Sequence, residues 1–204
     1  MEQRRDFDSA ALNWDEEPRR VTLAGEIAGA IQKNLQLSTE WDALDFGCGT
    51  GLVTFQLAPF LHSITGVDSS VGMIDRLVAK ITASAASNIS AQLYDPNRGE
   101  LPAQKYHLIT SAMTLHHIEN IAPLLASFRE RLHPGGRVAL ADLEAEDGSF
   151  HEDSTGVFHY GFTPVELSGL LSNAGFSAVT VTTATAVVKG DCTFPVLLAT
   201  AESL

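Results

Sequence analysis

The chain has 204 residues, of which 45% are hydrophobic and 19% charged, and its formal net charge at pH 7 is −12. This length and composition predict one globular domain over residues 1–204 and exclude a disordered or fibrous chain. Because no basic patch is visible, we expect neither nucleic acid nor a membrane as a partner. Two cysteines, no apolar leader and no apolar run of membrane-spanning length predict a soluble, cytoplasmic protein, either monomer or homodimer.

After a polar stretch over residues 1–18, apolar residues recur at helical spacing from Val21 to about Leu35. Strand and helix signals then alternate. Strands are predicted over 42–46, 63–67, 89–94, 106–111 and 137–142, the last preceded by a turn at 134–136. Helices are predicted over 52–61, 71–83, about 121–132, and from Thr163-Pro164 to Gly175.

Two β-rich segments, about 177–188 and 192–201, close the chain as a predicted hairpin. The predicted fold class is α/β, a Rossmann-like, doubly wound, mostly parallel seven-stranded sheet with an antiparallel C-terminal hairpin strand. Ligands of such sheets bind beyond the carboxyl ends of the strands, so the loops at those ends are the candidate sites.

A glycine-rich loop follows the first predicted strand, with Gly47, Gly49 and Gly51 in alternation. A dinucleotide fingerprint would need its third glycine at position 52, which is Leu52. Asp45, two residues before the first glycine, suits an ammonium group and repels a pyrophosphate. The loop therefore favours a ligand that carries an amino acid over a nicotinamide dinucleotide.

Acidic residues also end the second and third predicted strands. Asp68, followed by Ser69, is placed to accept hydrogen bonds from ribose hydroxyls. Asp95 is placed to accept from an exocyclic adenine amine, although the proline that follows it also suits a plain turn. Together these positions predict a site for an adenosyl ligand with an amino-acid end.

Residues 43–51 resemble motif I of the class I S-adenosylmethionine (SAM)-dependent methyltransferases, in the small-molecule group that includes the ubiquinone/menaquinone-type enzymes. Asp68 and Asp95 fall where that family has its ribose and adenine acids. Residues 110–118 resemble the segment that closes its fourth strand, and residues 132–137 resemble the turn before its fifth. The likeness covers about residues 20–142.

This resemblance implies SAM as cofactor, S-adenosylhomocysteine (SAH) as product and methyl transfer to a small-molecule acceptor. By family position, Ser111 and Met113 flank the sulfonium. No Asn-Pro-Pro-Tyr-like motif follows the fourth strand, which, with the acidic charge, argues against methylation of nucleic-acid bases.

Four histidines follow the fourth and fifth predicted strands, where the acceptor pocket is expected. We predict that His117 or His159 serves as a general base, since imidazole titrates near neutral pH, and that His116 and His151 contact the acceptor. Within the polar segment 1–20, Phe7 and Trp14 are expected to form a lid over the site.

Three alternatives stay open. His117, His151 and His159, with Glu119 or Asp142, could bind zinc or iron; no fixed-spacing motif supports this, so we assign no metal ligands. The chain could also be a non-catalytic SAM-binding domain. An NAD-linked oxidoreductase is disfavoured by Leu52.

Overall fold

A computed structural model describes residues 6–94 and 100–204. Within these ranges short 3-10 helices cover Ala11–Glu16, Ala58–Phe60 and Leu115–His117. The α-helices and strands, in chain order, are α1 (Phe7–Ala10), α2 (Pro18–Asn34), β1 (Asp42–Phe46), α3 (Leu52–Leu57), β2 (Ser63–Asp68), α4 (Val71–Ser84), β3 (Ile89–Leu93), β4 (Tyr106–Ala112), α5 (Ile121–Arg131), β5 (Leu132–Leu143), α6 (Pro164–Asn173), β6 (Phe176–Lys189) and β7 (Cys192–Ser203).

The strands form one seven-stranded sheet in the order β3-β2-β1-β4-β5-β7-β6. The first five strands pair in parallel, whereas β7 pairs antiparallel with both β5 and β6. The predicted fold class is thereby confirmed, including the antiparallel C-terminal hairpin. The carboxyl ends of β1, β2 and β4 meet at one edge of the sheet, which gathers the predicted ligand loops.

Helices cover both faces of the sheet. Alternate residues of the central strands point to opposite faces, so each strand packs against both helical layers. Ala43 of β1 faces the apolar cluster built on α2, α3 and α4, which includes the fully buried Ile31. Leu44 faces the cluster built on α5 and α6, which includes the fully buried Phe128. This two-sided burial explains why the central strands are nearly continuous apolar runs.

The structure departs from the predicted elements at three places. The helix predicted to reach 61 changes to a 3-10 turn after Leu57, because Pro59 has no N–H to continue the helix. The turn predicted at 134–136 is an irregularity within β5, which pairs with β4 at Leu132 and again from Arg137. The first residues described, predicted as polar chain, form α1, with Asp6 as its N-cap.

Within the described ranges, no helix is both long enough and apolar enough to cross a membrane.

Candidate active site

A cavity of about 1060 Å³ opens at the carboxyl edge of the sheet. Its walls come from the glycine loop after β1, the end of β2, the segment after β4, the long loop after β5 and the N-terminal segment. Cavities for single small ligands usually have about 300–1,000 Å³. The cavity is therefore at the large end of this range.

The glycine loop turns sharply at the end of β1. Gly47 and Gly49 both line the cavity and both have positive φ, +68° and +54°. A Cβ at position 47 would lie 2.3 Å from side-chain atoms of Thr114, so only glycine fits between the loop and the segment after β4. The bare backbone forms a cradle that an extended polar ligand can approach.

Gly51 has a different role from the other two glycines. It does not line the cavity, and a Cβ there would lie 2.5 Å from Leu77 of α4. It is the left-handed N-cap residue of α3. Gly51 therefore packs against α4 and shapes the turn into α3, and it does not itself face the cavity.

Two carboxylates stand beside the glycine loop. The Asp68 side chain accepts from the backbone N–H of Gly49 at 2.8 Å and of Ser70 at 2.9 Å, and Ser69 also lines the cavity. Asp45 is buried and accepts from the Thr54 hydroxyl at 2.5 Å. Burial, opposed by that hydrogen bond and reinforced by the charge of Asp68, raises the pKa of Asp45 to about 7.

Burial also raises the pKa of Asp68, although backbone N–H groups of Ser70 and Gly49 oppose the shift. An ammonium group near Asp45 would relieve the cost of its charge. The cradle and these two acids thus fit the amino-acid and ribose ends of SAM. The predicted adenine acid, Asp95, lies outside the described residues.

The N-terminal segment covers one side of the cavity. Phe7 and Trp14 line it and contact each other edge to face, with ring centroids 6.1 Å apart. Asp8 fixes this segment to α4 by accepting from the Ser70 hydroxyl at 2.5 Å and from the Gly72 N–H at 2.9 Å. A Cβ at position 72 would lie 2.7 Å from the Asp8 carbonyl oxygen, so the docking requires glycine there.

The end of β4 places its two predicted residues differently. Met113 lines the cavity with a left-handed backbone, φ +54°, a strained conformation held by its N–H bond to the Ala141 carbonyl. Ser111 is fully buried and donates to the Phe46 carbonyl at 2.9 Å, which ties β4 to β1. Its side chain is absent from the cavity wall, so the expectation that it flanks the sulfonium is corrected.

Three histidines meet at the far end of the cavity. His116, His117 and His151 each offer a ligand atom within 4.8 Å of the others, and all three line the cavity. Their ring centroids are 4.1, 5.0 and 5.9 Å apart and the rings are tilted rather than stacked. We call these three side chains the histidine cluster.

Two of the three rings have their tautomer fixed by oxygen acceptors. His116 Nδ1 lies 2.6 Å from Asp142 Oδ1, and both residues are buried. His117 Nδ1 lies 2.7 Å from the Gly156 carbonyl oxygen. Because a carboxylate and a carbonyl only accept, both Nδ1 atoms carry a proton, and in the neutral form of either ring the lone pair is on Nε2.

The charges of these groups follow from their surroundings. Burial acts to raise the pKa of Asp142, but His116 and backbone N–H donors outweigh it, so the pKa is lowered and the carboxylate is ionised. Burial, with the neighbouring His116 ring, lowers the pKa of His117 to about 4. His117 is therefore neutral at pH 7 and a weak base.

His159, predicted as an alternative base, lies elsewhere. Its Nε2 is 3.0 Å from the Ile118 carbonyl oxygen and its ring packs on Phe162. It belongs neither to the cavity wall nor to the histidine cluster. His116 lines the cavity instead, and its pairing with Asp142 across 26 residues leaves no signal in sequence spacing.

Comparisons with known proteins show the family to which the chain belongs. A family model described as a methyltransferase domain matches residues 19–181. An uncharacterized methyltransferase of Schizosaccharomyces pombe is 32% identical over 149 residues, 66% of this chain and 52% of the relative. Phosphoethanolamine N-methyltransferase 1 of Zea mays is 29% identical over 163 residues, 78% of this chain and 32% of the relative. The chain thus spans about half or less of these two relatives.

Solved structures show the same fold at low sequence identity. A putative methyltransferase of Haloferax volcanii, in complex with the Trm112 methyltransferase activator, superimposes with a TM-score of 0.78 at 14% identity, over 98% of both chains. Phosphoethanolamine N-methyltransferase 2 of Haemonchus contortus, in complex with SAM, superimposes with a TM-score of 0.73 at 17% identity, over 86% of this chain and 52% of that one. The chain belongs to the class I SAM-dependent methyltransferases.

Proposed function

We propose that the chain transfers a methyl group from SAM to a neutral or cationic small molecule that carries a protic nucleophile. The observation that carries this proposal is the histidine cluster, backed by buried, ionised Asp142, in the same cavity as the glycine cradle. SAM supplies an electrophilic methyl group on a sulfonium. Asp45, Gly47 and Gly49 are proposed to hold its amino-acid end.

Most of the residues proposed to bind the rest of SAM lie along the same carboxyl edge of the sheet. Asp68 and Ser69 are proposed to bind the ribose, and Asp95 the adenine, the last by family position alone. Met113, at the cavity wall after β4, stands next to the reacting centre by the same correspondence. Its strained backbone is consistent with a functional constraint at that position.

The acceptor is proposed to lie between Met113 and the histidine cluster. A nucleophile that attacks the methyl carbon must lose a proton, and an imidazole with a free Nε2 lone pair stabilises that loss. His116 suits this role because Asp142 fixes its tautomer and balances positive charge on the ring. His117 and His151 then shape the same end of the cavity.

The charge of the cavity favours an acceptor without phosphate groups. Among the described residues that line it, eight carry carboxylates and three carry basic side chains. Two of those three lie over aromatic rings, Arg20 over Trp14 at 3.9 Å and Lys189 over Phe150 at 4.0 Å. A net-negative cavity repels anionic acceptors and tolerates neutral or ammonium-bearing ones.

The test is methyl transfer from isotope-labelled SAM to a panel of phenols, thiols, amines and phosphorylated amines, detected by mass spectrometry. We expect labelled product with a neutral or cationic member and none with the phosphorylated ones. In parallel, calorimetry should show SAH binding without NAD binding. SAH binding with no labelled product from any acceptor would favour the non-catalytic binding domain instead.

A further inference from the structure

We propose that His116, His117 and His151 bind one divalent transition-metal ion of the zinc class, and that this ion binds the acceptor's nucleophilic atom. The inference rests on the proposed function for its catalytic role, but the ion site is defined by the side chains alone. Three imidazoles with a position left open is the ligand set of catalytic zinc sites.

The geometry of the cluster suits such an ion. Tetrahedral zinc with bonds of about 2.0–2.1 Å holds its nitrogens roughly 3.4 Å apart. The three ligand atoms of the cluster already lie within 4.8 Å of one another, so the widest pair needs to close by at most about 1.4 Å. The rings are tilted by 47°, 48° and 68° to one another rather than stacked face to face, so no ring face covers another.

The outer contacts of the cluster are those that metal-binding histidines use. A ligating imidazole usually donates its second N–H to a carboxylate or a backbone carbonyl, which fixes the ring and raises its basicity. His116 has this partner in Asp142 at 2.6 Å, and His117 has it in the Gly156 carbonyl at 2.7 Å. Two rings are therefore arranged to present Nε2 as a ligand before any ion arrives.

Burial argues against packing as the sole reason for this arrangement. The His116 side chain is 3% exposed and that of Asp142 is fully buried. Placing an ionised carboxylate inside the domain costs free energy that apolar residues of similar size would avoid. A cation beside the cluster would offset this cost and would also suit the acidic wall of the cavity.

The ion defines the chemical class of the acceptor as a thiol or a phenol. With Nε2 of His116 bound to the ion, the ion takes over from this ring the task of promoting proton loss: it lowers the pKa of the O–H or S–H group, and the proton leaves to solvent. The oxygen or sulfur then forms a bond to the methyl carbon while the carbon–sulfonium bond breaks. SAM and the protonated acceptor thus give the methyl ether or thioether, SAH and one proton, and no oxidant or reductant is needed.

The direct test uses the full chain without a histidine tag, stripped with a chelator and titrated with Zn²⁺ and, separately, Co²⁺. We expect one ion per chain by calorimetry and the visible spectrum of tetrahedral Co²⁺. His116→Ala and His151→Ala should each weaken Zn²⁺ affinity about 100-fold or more, and Asp142→Asn about 10–100-fold. The matched control is His159→Ala, which lies outside the cluster and should keep wild-type affinity.

SAH affinity and the melting temperature, measured on every variant, separate loss of ligands from loss of fold. No one-to-one binding in the wild-type chain, or wild-type affinity in the His116→Ala/His151→Ala double variant, would overturn the ion site. Methyl transfer at full rate by the stripped chain would overturn the role of the ion and leave the proposed function standing. A bound ion with no methyl transfer to any acceptor would overturn the proposed function and leave the ion site.

Discussion

The two ends of the cavity are built in different ways. At the donor end, residues 45–49 and 68–70, the contacts are mostly backbone ones: Gly47 and Cys48 N–H groups donate to the Val67 carbonyl, and Gly49 N–H donates to Asp68. At the acceptor end, side chains from separate segments meet, as His116 does with Asp142. Because the donor end is built from backbone, a substitution that displaces the backbone there should disturb the whole site. At the acceptor end, a single substitution can change the chemistry of the cavity while the backbone stays in place.

The largest expected effect comes from Asp142→Asn, a substitution that disrupts only the acceptor end. Asp142→Asn removes the carboxylate that fixes the His116 tautomer, so we expect turnover to fall about 10²-fold or more. SAH affinity should stay within about twofold, because Asp142 does not touch the donor end. Single-turnover kinetics and calorimetry on the same preparation measure both, and an equal loss of both would contradict the division of the cavity.

The next largest effect comes from Gly47→Ala, a substitution that disrupts only the donor end. Gly47→Ala places a Cβ 2.3 Å from Thr114 and forces alanine to φ +68°. A left-handed alanine alone costs about 1–2 kcal/mol, which the free loop relieves by shifting away from the binding geometry; because the strain returns on binding, SAH affinity should fall about tenfold or more. Calorimetry with SAH measures the loss. Gly29→Ala is the control, since nothing lies within 4 Å of its added Cβ.

A smaller effect, the pH dependence of stability and of SAH affinity, tests the role of Asp45. Because burial raises its pKa from 3.8 to about 7, the folded chain holds an extra proton between these values, and stability falls as pH rises across that window. An ammonium ligand needs the ionised form, so SAH affinity should rise by up to about tenfold per pH unit toward pH 7.

Asp45→Asn separates the two consequences of that pKa. The variant should gain up to about 4 kcal/mol in the free energy of unfolding at pH 8 and lose the pH dependence of SAH binding below pH 7. Chemical denaturation at pH 5 and pH 8, with calorimetry over the same range, provides the check. An unchanged slope of SAH affinity with pH would show that Asp45 does not meet the ammonium group.

The smallest expected effect concerns the N-terminal segment, which borders both ends. Gly72→Ala places a Cβ 2.7 Å from the Asp8 carbonyl oxygen and should displace the segment from α4. We expect SAH and acceptor affinities to weaken about threefold, or roughly 0.7 kcal/mol, with little change in stability. Limited proteolysis near residue 12 should accelerate in this variant and not in Gly29→Ala.

The donor end could be predicted from sequence because its determinants are local. Gly47, Gly49 and Asp68 lie directly at strand ends, and a parallel sheet brings such ends together whatever the rest of the chain does. The mostly parallel sheet could be predicted for a related reason, since alternating strands and helices permit few topologies.

The acceptor end could not be predicted to the same depth. The pairing of His116 with Asp142 and the approach of His117 to Gly156 depend on the path of the loop after β5. No spacing rule relates those residues, so the sequence predicts His117 or His159 as the base and gives His116 only a contact with the acceptor. Ser111 illustrates the same limit, because only the register of β4 against β1 shows that its hydroxyl is used inside the sheet.

The docking of Asp8 against Gly72 has a consequence for the timing of the reaction. The segment that carries Phe7 and Trp14 forms part of the wall around both ligands and is fixed to α4 by two hydrogen bonds from the donor end. We expect SAH to leave past this segment, which would require those bonds to open first. A chain built this way is expected to turn over at the rate at which its first helix detaches, so solvent viscosity and not the methyl-transfer step would limit the steady-state rate.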